Sequence, residues 1–332
     1  MGEPRIGLIV NPAAGRDIRR LTGGANVVDN YAKRRVAECV LQGLRAVSDP
    51  PEATLMPDEA GIATTVVEDA PDSVSASLLD LSVRGTAADT RRTASRFREE
   101  GVNAIVVLGG DGTSRDVALE CGDTALLPVS TGTNNVVPAA VDGTVAGAAA
   151  ALVATGAVEG EAVTRRHGMV EARTDSDEVV TGLASVELSN RSFVGTRALL
   201  DPADLAGGIV SRANPADIGL SSVAGALGPL APDESGAIGL RLDDADAAAR
   251  TVMAIVAPGV VAEIGIEERR RLTGGELMTI EVEEGVIGAD GERELELVDE
   301  TVEFRSVGEG PRLVSLEAVF ARAARNGVLA NG

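Results

Sequence analysis

The chain has 332 residues, more than a typical single domain, so two domains are expected. Its hydrophobic fraction of 44% can build packed cores, but only 2% of the residues are aromatic, so aliphatic side chains and alanine must fill those cores. The formal net charge of −21 argues against nucleic acids and anionic membranes as partners.

The basic residues are almost all arginine, since Lys33 is the only lysine among 30 Lys and Arg residues. A lysine-poor, acidic composition rich in small residues indicates a salt-loaded cytosol of the haloarchaeal kind. There, about 1 M salt shortens the Debye length to about 3 Å and screens the self-repulsion of the surface. No apolar run reaches about 18 residues, and MGEPRIGLIVNP lacks the features of a signal peptide. We therefore expect a cytoplasmic protein.

The first 157 residues alternate between strand-like and helix-like segments. The expected strands cover 5–10, 73–83, 103–108 and 125–130, and the expected helices cover 29–47, 85–101, 114–122 and 142–156. Asp29 or Asn30 is the expected N-cap of the first helix. Because strands that alternate with helices form parallel sheets covered on both faces, residues 1–157 are expected to form a three-layer α/β/α, Rossmann-like domain.

Residues 158–310 change to alternating stretches separated by Gly, Asp and Pro turns, which predicts a β-sandwich-type domain. We expect it to bind substrate and to form a homo-oligomer. Few helical segments are expected here, chiefly around 202–212 and at a surface helix end in 269–271. Residues 311–327 return to a helical period, and this last helix is expected to pack back onto the first domain.

Three glycine-bearing turns follow expected strands of the first domain: NPAAG (11–15), GGDGT (109–113) and STGTNN (130–135). A strand that leads through a glycine turn into a helix directs backbone N–H groups and the positive end of the helix dipole at one point. Open α/β sheets bind ligands at the carboxyl ends of their strands. The three turns therefore predict a phosphate cradle, in which Thr113 either caps the helix or contacts a phosphate oxygen.

Several other kinds of site are excluded. A Walker A loop needs Gly-Lys-Ser/Thr, but Lys33 lies in the expected helix 29–47, and no GxGxxG follows the first strand. His167 is the only histidine, and Cys39 and Cys121 have no CxxC spacing, so a His/Cys zinc site lacks ligands. Structural roles are expected for these three residues.

The order NPAAG, GGDGT and GTNN resembles the superfamily of NAD kinases, diacylglycerol kinases and sphingosine kinases. The motifs VNPAAGRDIRRL, VDNYAKRRV and LPVSTGTNNVVP are most similar to the acetoin-catabolism X branch of the ATP-NAD kinase family. The match covers about the first 157 residues in motif order, whereas the second domain agrees in architecture. The resemblance implies ATP and Mg²⁺ as ligands and phosphoryl transfer as the reaction.

The resemblance also implies roles for individual residues. Asp111 accepts the proton of the substrate hydroxyl, directly or by helping to hold Mg²⁺, and Asn11 and Gly15 lie beside the nucleotide. The implied phosphate contacts are Gly109, Gly110, Gly112 and Thr113. The implied contacts to ribose or adenine are Thr131, Gly132, Thr133, Asn134 and Asn135.

In NAD kinases an Asn-Glu or Asn-Asp pair of the second domain binds the dinucleotide. Here ASVELSN (184–190) has the acid as Glu187, but Val186 replaces the asparagine. The resemblance therefore implies an ATP-dependent kinase for NAD or a related small polyol or nucleotide. The alternatives are a non-catalytic nucleotide sensor of the same fold and, less favoured, a lipid kinase, for which no exposed aromatic or apolar membrane face is expected.

Overall fold

A computed structural model describes residues 3–14, 28–132, 135–190, 204–231 and 234–330 of the chain. Within these ranges the strands are β1 (Arg5–Val10), β2 (Glu52–Leu55), β3 (Ala76–Leu78), β4 (Ala104–Gly109), β5 (Ala125–Ser130), β6 (Thr164–Arg166), β7 (Met169–Thr174), β8 (Val179–Gly182), β9 (Ser185–Ser189), β10 (Leu205–Val210), β11 (Ala237–Asp243), β12 (Thr251–Ala257), β13 (Val260–Leu272), β14 (Leu277–Ala289), β15 (Glu292–Val307) and β16 (Arg312–Val314). The helices are α1 (Asn30–Gly43), α2 (Ile62–Glu68), α3 (Ala87–Glu99), α4 (Asp111–Ala118), α5 (Gly143–Ala154), α6 (Gly160–Val163), α7 (Leu220–Ala226) and α8 (Leu316–Arg325), and a 3-10 turn covers Leu44–Ala46.

The first sheet has the strand order β3-β2-β1-β4-β5-β16-β6 and is parallel except for β6. Apolar side chains cover both of its faces. Leu8 and Val106 pack with α1, α2, α5 and α8, whereas Ile9 and Val107 pack with α3 and α4. The sheet is therefore the middle layer of a three-layer α/β/α domain, which confirms the fold predicted for this half of the chain.

Helices α1 and α5 approach each other closely because glycines line their contact. A Cβ atom at Gly147 would lie 2.0 Å from the carbonyl oxygen of Val40, and one at Gly143 would lie 2.4 Å from that of Val36. Helix α1 also contacts β1. The first turn of α1 lies near the loop that leaves β1. Asp29 caps α1 by accepting a hydrogen bond from the N–H of Ala32.

The second domain contains a nine-stranded sheet with the order β12-β13-β11-β10-β9-β14-β15-β7-β8, and neighbouring strands in this order pair antiparallel. The sheet curls on itself, so β10 and β11 approach β7 and β15 across a buried core. Val186, Ile287, Phe304 and Met278 belong to that core. The predicted β-sandwich-type domain is thus confirmed, with both layers made from one continuous sheet.

Several expected elements differ from the observed ones. The helix expected around 202–212 is wrong, because 205–210 form β10, and a helix, α7, occurs instead at Leu220–Ala226. Residues 269–271 lie within β13 rather than at a helix end. Only Ala76–Leu78 of the strand expected at 73–83 pairs with a neighbour.

The chain passes between the two sheets twice, and the two crossings touch. The N–H of His167 donates to the carbonyl oxygen of Pro311 at 3.0 Å, between β6 of the first sheet and β7 of the second. The C-terminal helix α8 contributes Val319 and Ala323 to the core of the first domain. Among the described residues, no helix is long and apolar enough to cross a membrane.

The buried His167 at this junction predicts a pH-dependent stability. Burial, reinforced by the charge of Arg212, lowers the pKa of His167 from 6.5 to about 4. The unfolded chain takes up this proton near pH 6.5 and the folded chain only near pH 4. The contribution is therefore complete above pH 6.5 and is lost as the pH falls to about 4, for a total of about 3 kcal/mol.

Urea unfolding of the wild type and of His167→Gln, at several pH values and constant KCl, measures this contribution. We expect the fall in unfolding free energy between pH 7 and pH 4.5 to be smaller in the variant, because the other titrating groups are shared. An equal fall in both proteins would contradict the assignment.

The acidic, lysine-poor composition predicts that salt stabilises the fold. We expect the melting temperature to rise with KCl from about 0.1 M to above about 2 M, because screening weakens the repulsion among the acidic side chains. Differential scanning calorimetry over this range tests the prediction, and a flat or falling melting temperature would remove the halophilic interpretation.

Candidate functional site

The turns after β4 and β5 lie side by side. The two strands pair in parallel, with Gly109 opposite Ser130, and the N–H of Thr131 donates to the carbonyl oxygen of Gly109 at 2.9 Å. A Cβ atom on Gly132 would lie only 3.0 Å from the Cα atom of Gly110. GGDGT and residues 130–132, the start of STGTNN, therefore form one continuous backbone surface at the carboxyl edge of the first sheet.

Asn135, at the end of the second turn, contacts both turns through its side chain. Its side-chain Nδ2 donates to Ser130 Oγ at 2.5 Å, and its Oδ1 lies 3.0 Å from the position of a Cβ on Gly110. Thr131 is buried behind the turn. Thr133 and Asn134, which were also predicted to contact the nucleotide, lie outside the described residues, as does Gly15.

Asn11 joins the first turn to the second. Its N–H donates to the carbonyl oxygen of Leu108 at 3.0 Å, and its Nδ2 donates to Thr113 Oγ1 at 2.7 Å. Its Oδ1 accepts from the N–H of Ala13 at 2.8 Å, which closes the NPAAG turn. Thr113 is therefore bound by Asn11 and does not cap the helix, because α4 begins at Asp111 and its N-cap is Gly110.

Asp111 is the first residue of α4, three residues earlier than the expected start of this helix, and its side chain is buried. One carboxylate oxygen accepts from the N–H of Val136 at 2.7 Å and the other accepts from the N–H of Val137 at 2.8 Å. Asp111 thus binds the backbone just after GTNN, and it also lies at the start of α4. Sequence reasoning had assigned it only a chemical role.

The start of α4 carries the features of an anion site. The first hydrogen bond of the helix joins the Ser114 N–H to the carbonyl oxygen of Gly110 at 3.0 Å, so the N–H groups before Ser114 point toward the helix start. At Gly109 a Cβ would lie 2.6 Å from Thr113 Cβ. The backbone can therefore make this turn only with glycine there.

Glu292 is a residue of the site that sequence reasoning missed. It follows the two-residue turn Asp290-Gly291 between β14 and β15, in which both residues have positive φ. Its Oε1 lies 3.0 Å from the position of a Cβ on Gly112, in the first turn of α4. The signal was present in the sequence, since Asp-Gly between two alternating stretches is a strong hairpin signal, but the partner of the hairpin tip was not predictable.

A buried ion pair ties this hairpin to α4. The Arg115 Nε lies 3.9 Å from Asp290 Oδ2, and Arg115 Nη1 donates to the carbonyl oxygen of Ala289 at 3.0 Å. Burial alone would lower the pKa of Arg115, but the charges of Asp290 and Glu294 outweigh it and raise the pKa. The two domains are therefore joined by a charged contact one turn from Asp111.

Asp290 also shapes the strand that carries Glu187. Its carboxylate accepts from the N–H groups of Leu183, Ala184 and Ser185 at 2.9, 2.7 and 3.1 Å. Ser185 then donates its hydroxyl to Glu187 Oε1. The start of β9 is thus linked through Asp290 and Arg115 to helix α4, which begins within GGDGT.

Glu187 is a buried carboxylate whose cross-strand neighbours are both glycine, Gly208 on β10 and Gly288 on β14. No neighbouring strand therefore covers it with a side chain. Val186 lies in the buried core on the other face of β9. An asparagine in its place would enter that core rather than stand beside Glu187.

The described residues contain no group of three His, Cys, Asp or Glu side chains arranged to hold a metal ion. Magnesium ions in nucleotide sites usually take most of their ligands from phosphate oxygens and water.

Comparison with known proteins agrees with this architecture. Residues 6–158 match the ATP-NAD kinase N-terminal domain, and residues 168–308 match the acetoin catabolism protein X C-terminal domain. Acetoin catabolism protein X of Cupriavidus necator is 34% identical over 309 residues, which cover 88% of this chain and 84% of that protein.

Proposed function

The chain belongs to the family of acetoin catabolism protein X and carries an ATP-NAD kinase N-terminal domain, and on that premise we propose that it is an ATP-dependent phosphotransferase. The proposed reaction transfers the γ-phosphoryl group of ATP to a hydroxyl of a small metabolite. The geometry of the cradle supports this reaction.

One observation carries the proposal: two glycine turns touch through their backbones at the start of α4, beside the carboxylate of Asp111. A side chain at Gly110 or Gly132 would press against Asn135 or the facing turn, so glycine at these positions lets the two backbones meet. Backbone N–H groups at a helix start bind phosphate without a dedicated lysine loop. The residues of the two turns are therefore suited to the phosphate chain of a nucleoside triphosphate.

Residues 109–113 would hold the phosphates, and 131–135 would hold the nucleoside. When bound, ATP supplies the phosphoryl group, and Mg²⁺ neutralises part of its charge. The chain itself supplies position, electrostatic stabilisation and a proton acceptor, because phosphoryl transfer needs little covalent participation by the protein.

Two carboxylates lie close to the first turn of α4. Asp111 has its two oxygens engaged by the N–H groups of Val136 and Val137, which fixes its orientation. Glu292 approaches the same turn of α4 from the second domain. We propose that Asp111 accepts the hydroxyl proton or helps to hold Mg²⁺, and that Glu292 is the second acidic group of the site.

The acceptor is proposed to be a sugar- or polyol-bearing metabolite bound at Glu187. A carboxylate can accept hydrogen bonds from two adjacent hydroxyls, and Glu187 has glycines, Gly208 and Gly288, as its cross-strand neighbours. Residue 186 faces the buried core and so supplies no amide beside Glu187 to a base edge, and a ligand group left unpaired costs about 1–3 kcal/mol, or up to about a hundredfold in affinity. NAD itself is therefore expected to be a weak substrate or none.

Mass spectrometry of products tests the proposal. Purified protein in molar KCl is incubated with ATP, Mg²⁺ and a panel of hydroxyl compounds that includes NAD, polyols and nucleosides. We expect a product 80 Da heavier from at least one acceptor, and Glu187→Gln should weaken acceptor binding without changing ATP binding. Efficient phosphorylation of NAD would show that Val186 is harmless and that NAD is the acceptor.

A non-catalytic nucleotide sensor is the second candidate, and the engagement of both Asp111 oxygens by backbone groups favours it. In that case ATP binds tightly and no acceptor in the panel gains a phosphoryl group. A phosphorylated diacylglycerol in the same panel would instead identify a lipid kinase.

A further inference from the structure

A short segment at the end of β14 connects the strand that carries Glu187 with helix α4. Gly288 is the cross-strand neighbour of Glu187. The carbonyl oxygen of the next residue, Ala289, accepts a hydrogen bond from Arg115 Nη1 of α4 at 3.0 Å. The residue after that, Asp290, has its Oδ2 atom 3.9 Å from Arg115 Nε. Three consecutive residues therefore join the proposed acceptor position to the helix of the proposed phosphate site.

The carboxylate of Asp290 fixes the backbone at the start of β9. Its two oxygens accept from the N–H groups of Leu183, Ala184 and Ser185 at 2.9, 2.7 and 3.1 Å. The N–H of Asp290 donates in turn to the carbonyl oxygen of Ser185 at 3.0 Å. The hydroxyl of Ser185 donates to Glu187 Oε1. The position of Asp290 therefore sets the backbone before Glu187 and the orientation of its carboxylate.

The contact between Arg115 and Asp290 is enclosed, since both side chains are buried. A buried ion pair adds little net stability compared with apolar side chains of the same volume, and its best-attested use is to fix register. Closely packed interiors transmit strain because they have few voids into which groups can move. A restraint on α4 is therefore expected to reach the start of β9.

Helix α4 is the element on which a bound nucleotide would act. It has only eight residues, from Asp111 to Ala118, and Arg115 follows its first turn. The first N–H groups of a helix have no partner within the helix, and an anion that binds them restrains the first turn. In so short a helix this restraint includes the backbone that carries Arg115.

We propose that Arg115 and Asp290 are positioning residues that couple the two halves of the site: ATP bound at the start of α4 restrains the start of β9 and so holds Glu187 ready for the hydroxyl-bearing acceptor. This inference rests on the proposed function and adds a coupling between its two ligands. Because such coupling is reciprocal, an acceptor bound at Glu187 tightens ATP binding by the same factor.

Hydrogen exchange followed by mass spectrometry measures this coupling with ATP alone. The wild type is labelled in molar KCl and Mg²⁺, with and without saturating ATP. We expect ATP to slow the exchange of the amides of 183–185 by about fivefold or more. Residues 251–266, which belong to β12 and β13 at the edge of the same sheet, report global stabilisation and should slow much less.

Arg115→Lys tests the route of the coupling. Lysine keeps the charge but lacks the planar set of donors, so saturating ATP should slow the 183–185 amides of this variant by less than about twofold. Arg91→Lys is the matched control, because Arg91 pairs with Asp116 of the same helix at 2.8 Å from within the first domain. It should keep the full slowing. Asp290→Asn removes the charge at the other end of the contact, should also lose the slowing, and replaces Arg115→Lys if that variant does not fold.

The outcomes separate this inference from the proposed function. If the wild type binds ATP and its 183–185 amides exchange equally with and without ATP, the inference fails and the nucleotide site stands. Equal slowing of 183–185 and 251–266 would show global stabilisation alone and would overturn the inference, as would full slowing in Arg115→Lys. If calorimetry detects no ATP binding by the wild type, the proposed function fails, and the coupling fails with it.

Discussion

Replacing Asp111 by asparagine is expected to lower turnover by about 10²–10⁴-fold, because an amide cannot accept the hydroxyl proton. The structure adds a second effect. The carboxylate binds the N–H groups of both Val136 and Val137, and an asparagine side chain can accept only one of these hydrogen bonds. The unpaired N–H costs about 1–3 kcal/mol, so ATP binding should weaken by about 5- to 150-fold as well.

Steady-state kinetics and ATP titration together separate the two roles of Asp111. If it only anchors the loop, turnover at saturating ATP stays near the wild-type value while ATP affinity falls. If it also accepts the proton, turnover falls at saturating ATP. Asp142→Asn makes the same chemical change at the N-cap of α5 and is the control. Full turnover by Asp111→Asn would contradict the catalytic assignment.

Replacing Arg115 by methionine is expected to destabilise the protein by about 3–5 kcal/mol, because it leaves a buried carboxylate without its cation. The side chains of Arg115 and Asp290 are 5% and 0% exposed. The guanidinium also holds the carbonyl oxygen of Ala289, so the hairpin tip loses two contacts to α4. If Asp290 is displaced, the N–H groups of Leu183, Ala184 and Ser185 lose their acceptor. The start of β9, which leads to Glu187, would then no longer be held in place.

Urea unfolding of Arg115→Met, Asp290→Asn and the double variant measures the interaction between the two side chains. The double variant should be more stable than the sum of the single losses predicts. Arg173→Met removes an exposed pair with Asp177 and should cost no more than about 1 kcal/mol. A loss at Arg115 as small as that at Arg173 would contradict the assigned bridge.

Much of the first domain could be predicted because its signals are local. Continuous apolar runs gave β1, β4 and β5, and Gly101, with a φ of 69°, ends α3 where expected. The neighbouring positions of GGDGT and STGTNN follow from a general property of parallel sheets, the shared edge at which their strands end.

The remaining features depend on contacts that are distant in sequence. The groups that bind Asp111 lie 25 and 26 residues away, and Glu292 reaches Gly112 from the other domain. Residues 205–210 contain two glycines and few strand formers, yet pairing with β9 and β11 on both sides makes them a strand. Periodicity in a single segment does not encode such partners.

The central claim is that the touching turns after β4 and β5 form a nucleotide phosphate site. Calorimetric titration of ATP with Mg²⁺ in molar KCl, into the wild type, Gly132→Ala and Gly160→Ala, tests it most directly. A Cβ at Gly132 would lie 3.0 Å from Gly110 Cα, whereas a Cβ at Gly160 would have no contact closer than 3.9 Å. We predict one ATP per chain for the wild type and Gly160→Ala, and binding weaker by about tenfold or more for Gly132→Ala. Equal binding by all three proteins, or no binding by the wild type, would contradict the account.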